Sequence, residues 1–202
     1  MKRAVYAIAV LSLGVLPAQS AGPEANELFL LTPIDSLPTK NQIINVAPDP
    51  VGRLSELSLS PTADFGMSLR AIRALPQFCV GGTDPSCQED SDAQMHPVRA
   101  AVRDVITSIS PADRNGKSLL RLRAGVEALG TIQSGEQSDV DLLIPLLDHT
   151  SRDIRFATAR ALRELCMPSA EAALRNRYEA ETIPQVRLAI SAALGDLAQC
   201  SQ

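Results

Sequence analysis

DIRFATARALREL, residues 153–165, and QVRLAISAALGDL, residues 185–197, align without a gap at an offset of 32 residues. Ile154 falls on Val186, Arg155 on Arg187, Phe156 on Leu188, Ala161 on Ala193, Leu162 on Leu194 and Leu165 on Leu197. The apolar positions within each copy recur at helical spacing. A second helical segment precedes each copy: DVDLLIPLLDH from Asp139 and PSAEAALRNRYEAE from Pro168. The unit therefore reads as a helix, a tight turn and another helix. Leu129, in EALG, lies 33 residues before Leu162 and carries the register back by one more unit. Alanine and leucine recur at such spacing in any amphipathic helix, but the shared apolar-arginine entry sets these copies apart. The period also falls in the range, roughly 20 to 50 residues, of stacked repeats.

Working outward, KSLLRLRAGVEALGTI from Lys117 places Leu119, Leu122, Val126 and Leu129 on one face, and VRAAVRDVITSI from Val98 does the same with Val98, Ala101, Val102, Val105 and Ile106. Asp49-Pro50 combines an N-cap with proline at the first helical position, and opens VGRLSELSL. FGMSLRAIRALPQF follows, with Pro76 set to end it early. Residues 80–95, rich in glycine, aspartate and serine, read as a loop. The gap between Ile106 and Leu129 is too short for another full unit, so 98–109 reads as the first helix of a pair. About four helix pairs are expected over 49–202, an all-α domain. Residues 21–48 are interrupted by Pro23, Pro33, Pro38 and Pro48 and read as an extended or partly disordered arm. LFLL (28–31) and QIINV (42–46) are apolar enough for part of it to dock.

Residues 1–20 have a charged start (Lys2, Arg3), an apolar run from Ala4 to Leu16 and a small-residue exit, the order of a secretory signal peptide. The run is shorter than the ~20 residues of a membrane span, and no lipid-anchoring cysteine follows it. The expectation is an exported protein, periplasmic or extracellular, with nothing inserted in the membrane after cleavage. Losing Lys2 and Arg3 from 19 basic and 23 acidic groups leaves 17 against 23, a net charge of −6. That balance argues against nucleic acid, whose binding rests on basic groups. Few aromatics and no tryptophan suit closely packed helices better than sheets. Four cysteines in an oxidising compartment favour two disulfides. The expected pairing is Cys79 with Cys87, closing CVGGTDPSC, and Cys166 with Cys200, tying the last helix to the layer before it. A zinc site using them with His96 lacks the close C-x-x-C spacing.

SRDIRFATARAL, PQVRLAISAALG and, less completely, LRLRAGVEALG resemble HEAT-like repeats of the PBS-lyase type, whose second helix carries Val-Arg followed by alanines and Ala-Leu-Gly. HPVRAAVRDVI keeps only the opening. The resemblance implies a short right-handed α-solenoid whose second helices line the inner surface, with that concave face as the natural binding surface. The lyase and isomerase activities behind the family's name are not carried over to this chain.

No residue set points to catalysis. His96 and His149 are the only histidines, no serine lies in G-x-S-x-G, and GGTDPS lacks the G-K-[ST] ending of a phosphate loop. His149 reads as a helix C-terminal cap and His96 as a helix start. Asp139, Asp141, Asp148 and Asp153 do not follow the calcium-loop pattern and read as favouring helix N-termini. No cofactor and no metal are expected. The candidate partner-binding residues are Arg155 and Arg187, with Arg121 and Arg123, and Arg70 and Arg99 further off; a ladder of arginines could grip carboxylates. The competing role is a structural ladder to Asp153 and the acids of neighbouring turns. The expected function is a non-catalytic protein-interaction scaffold for an unidentified protein. The alternatives are a regulatory subunit docking through its arm, and, last, a lyase-type accessory enzyme.

Overall fold

Among the described residues, five helix starts are marked by a side chain that takes up a free backbone N–H, the need every helix N-terminus has. Asp49 accepts from Gly52 N–H at 2.9 Å, Asp64 from Met67 N–H at 3.1 Å, Asn115 from Lys117 N–H at 2.9 Å and His96 Nδ1 from Val98 N–H at 3.3 Å. The computed structural model describes residue 31, residues 36–79 and residues 95–200. Within them the regular structure is all helix: α1 (Lys40–Ile44), α2 (Pro50–Leu59), α3 (Phe65–Ala74), α4 (Pro97–Thr107), α5 (Gly116–Ile132), α6 (Gln137–Leu143), α7 (Arg152–Leu165), α8 (Glu171–Ala180) and α9 (Pro184–Cys200). Short 3₁₀ turns follow α3 (Leu75–Phe78) and α6 (Ile144–Asp148) and precede α8 (Pro168–Ala170). Each has proline in its first positions, where the missing N–H is tolerated but α-helical continuation is not.

Consecutive helices pack on each other: α2 on α3, α4 on α5, α6 and its 3₁₀ turn on α7, and α8 on α9. The second members also pack side by side, α3 on α5, α5 on α7 and α7 on α9, while α2 lies against α4. The repeat positions supply this interior. Leu122, Val126, Leu129 and Ile132 of α5, Ile154 and Leu162 of α7, and Val186, Ile190 and Leu197 of α9 are all buried. Each such leucine or isoleucine is worth about 1.5–3 kcal/mol of apolar burial. Small residues let α5 and α7 approach closely. A Cβ at Gly130 would stand 2.7 Å from Ala161 Cα, so glycine in EALG is a packing requirement.

Two expectations meet the structure differently. Residues 40–44 form a helix inside the stretch read as an arm, because Thr39 and Gln42 make a reciprocal capping box that outweighs the flanking prolines. Leu31 is only 5 % exposed and, with Ile43, joins the core formed by Leu54 and Leu57. Cys166 and Cys200 are bonded, with Cα atoms 5.8 Å apart, fixing the end of α9 to the end of α7. Cys79 is also disulfide-bonded. Its expected partner Cys87, the loop around it and the signal-like residues 1–20 lie outside the described residues.

Candidate partner-binding face

Arginine placed just inside a helix start can point either outward or across to the next unit. Arg155, in the first turn of α7, goes across. Its Nε and Nη2 donate to Glu181 Oε2 and Oε1 at 2.7 and 3.0 Å, a two-pronged pair, while Nη1 donates to the carbonyls of His149 and Thr150 at 2.9 and 3.1 Å. Arg155 is 8 % exposed and Glu181 1 %. Glu181 also accepts from Arg177 and from the N–H groups of Thr182 and Ile183. The Arg155 hydrogen bonds, opposed by burial and helped by Ile183 N–H and Arg177, hold the Glu181 carboxyl down at about 2. All three nitrogens of Arg155 are committed to the chain itself. Four of its five N–H groups are placed in this way, and the residue ties α7 to the turn before α9.

The partner of Arg155 is Glu181, not Asp153, which stands 3.6 Å from Arg152 at the surface. Arg187 is half-buried. Its Nη1 donates to the Glu181 carbonyl at 3.0 Å and its guanidinium lies over the Tyr178 ring at 4.3 Å. Arg99 is likewise internal: Nε donates to Asp139 Oδ2 at 2.8 Å and Nη2 to Ser138 Oγ at 2.8 Å. Arg103 pairs with the other Asp139 oxygen, and Ser134 Oγ donates to Oδ2 at 2.6 Å. Asp139 sits in the first turn of α6, as expected, and is also a buried junction between α4 and α6. Arg70 donates to the Ser36 carbonyl at 2.8 Å, and Arg123 pairs with Glu127 at 2.8 Å. His149 is the C-cap residue of the 3₁₀ turn Ile144–Asp148, its backbone N–H donating to the Leu146 carbonyl, and its Nδ1 accepts from Ser151 N–H at 2.9 Å at the entry to α7.

The outward face of α5, α7 and α9 is what remains open. Arg123, Phe156 and Leu188 occupy one repeat position, 33 and 32 residues apart. Arg123 and Phe156, with Arg152, Ile183, Gln185 and Val186, line a cleft of about 310 Å³. Leu188, beside it on α9, is 72 % exposed, an unusual position for a leucine in a helix otherwise buried by its apolar residues. A second cleft of about 240 Å³ lies between α5 and α7, lined by Glu127, Thr131, Arg160 and Glu164. Burial raises the Glu164 carboxyl above its ordinary value, against the pull of Arg160 and Arg163. The sequence offered Phe156 and Leu188 only as matched positions; reading them as surface residues needed the helix orientation. Among the described residues no group of three or more metal-ligating side chains is assembled, and no helix is long and apolar enough to cross a membrane.

These features define an α-helical repeat protein whose units are linked by internal ion pairs. Residues 114–195, covering α5 to most of α9, match the family model for HEAT repeats. No curated protein and no solved structure matches the chain. HEAT repeats commonly serve as protein-interaction scaffolds and are typically non-catalytic.

Proposed function

We propose that this chain is a non-catalytic protein-interaction scaffold acting outside the cytoplasm, its helix pairs stacked as a short right-handed α-solenoid. The partner, a protein, binds across the face of α5, α7 and α9. The observation that carries this reading is the cleft lined by Arg123 and Phe156, continued by exposed Leu188 at the same repeat position. Stacked repeats turn equivalent positions into a continuous strip, and an apolar anchor flanked by charge is a common form of interaction surface. Export is supported by the pattern of residues 1–20 and by the disulfides, which persist in oxidising compartments. Docking through the arm is the weaker alternative, since Leu31 and Ile43 are already spent on the chain's own core.

The test places a photo-crosslinking residue at Leu188, and separately at exposed Glu179 on α8, in the chain expressed in its own host. One dominant protein captured from position 188, and lost when Phe156→Ser is added without loss of helicity, supports the reading. Equal capture from both positions, or capture indifferent to Phe156→Ser, refutes this face. A cytoplasmic chain still carrying residue 1 refutes export.

A further inference from the structure

Between the α2–α3 turn and the start of α5 lies a separate cleft of about 390 Å³, lined by Ser60, Asp64, Phe65, Lys117, Ser118 and Arg121 among others. Its two cations are four residues apart on one face of α5. Lys117 lies over the Phe65 ring at 5.5 Å, and Arg121 Nη2 donates to the Ser58 carbonyl at 2.5 Å. Neither forms an ion pair with a described residue, whereas Arg99, Arg103, Arg123, Arg155 and Arg177 all do. Arg121 Nε is shut off from solvent and has no hydrogen-bond acceptor. Buried donors are almost always satisfied, so one left without an acceptor needs a reason. Asp64 contributes the one carboxylate of the lining, and it is engaged in capping α3 through Met67 N–H.

We propose that this cleft is a binding site for a single carboxylate, held between the Lys117 ammonium and the Arg121 guanidinium. Two cations against one lining carboxylate leave a single positive charge to be matched. A phosphate dianion would overfill it beside Asp64. A planar carboxylate fits the fork of a guanidinium. Seating it asks the Arg121 head to turn toward the cleft, which gives Nε its missing acceptor. The site shares no lining residue with the cleft of Arg123 and Phe156, and it stands apart from the interaction-face reading.

The test titrates sodium acetate into the full chain at constant ionic strength, following the Ser118 amide and the Arg121 Nε–H by NMR. Saturable shifts at both, with affinity weakened about fivefold in Lys117→Ala, are expected. Lys117 is exposed, so this variant keeps the packing that Arg121→Gln would also disturb. Shifts that never saturate, or that are unchanged in Lys117→Ala, overturn the proposal. Inorganic phosphate binding more tightly than acetate overturns the assignment of a single negative charge. A blocked glutamate tripeptide binding about tenfold more tightly than acetate identifies the carboxylate as a protein partner's; equal affinity identifies a small free acid. Either result supports the site, and neither bears on capture from Leu188.

Discussion

Replacing Glu181 with glutamine keeps the shape of the side chain and removes the charge that Arg155 was buried against. A guanidinium enclosed without its carboxylate costs about 3–5 kcal/mol, and at neutral pH Glu181→Gln should lose that much in urea unfolding followed by far-UV circular dichroism. The pH dependence gives a second, sharper number. Glu181 titrates at about 2 in the folded chain against an ordinary 4.5, so the folded state binds its proton less readily than the unfolded state does. Stability from this group is fully present above pH 4.5 and is lost as pH falls toward 2. At about 1.4 kcal/mol per pH unit, the gap is worth about 3 kcal/mol. Other carboxylates titrate in the same window, but they do so in both proteins and cancel in the difference. The gap in stability between native chain and variant should therefore narrow as pH falls from about 4.5 to about 2. A gap below about 1 kcal/mol at pH 7, or one that stays constant across the acid range, would refute the buried-pair reading.

Burial, then Arg114 and Arg155, push the His149 imidazole below its ordinary 6.5. Its stabilisation is present above pH 6.5 and fades on acidification below it; an NMR titration should give a midpoint under 6.5, and His149→Gln should flatten that part of the stability profile. The Cys166–Cys200 bond spans a sequence separation of 34. Cys200→Ser should cost about 4 kcal/mol by the loop-entropy relation, seen as a lower midpoint in thermal unfolding. Gly130→Ala drives a methyl against the Ala161 backbone and should destabilise by about 1–3 kcal/mol. Gly195→Ala on α9 meets nothing within 4 Å and should stabilise by about 0.5–1 kcal/mol, both measured by urea midpoint.

The residues whose role follows from a local rule were legible without coordinates. Asp49-Pro50, the helical faces of α4, α5, α7 and α9, and the bond between Cys166 and Cys200 all follow from spacing, capping or compartment. Thr39-x-x-Gln42 was legible too, as a capping box, but the prolines around it drew the reading toward an arm. The acids that arginines pair with were not. Glu181 lies 26 residues from Arg155, and Asp139 lies 40 from Arg99. Nothing local marks a carboxylate as internal: Asp139 read only as favouring a helix N-terminus, and Glu181 did not stand out at all. Phe156 and Leu188 share a repeat position, yet only helix orientation shows one half-covered and the other open.

Enclosure of the two ion networks has a consequence for ionic strength. Salt weakens attraction between charges that water and counterions can reach and scarcely touches those they cannot. The Arg155–Glu181 and Arg99–Asp139 pairs are inside, whereas Arg152, Arg160 and Lys117 face the solvent. Raising the salt concentration should then strip bound carboxylates from the surface while leaving the folded chain as firm as before, so release and unfolding can be driven by separate means.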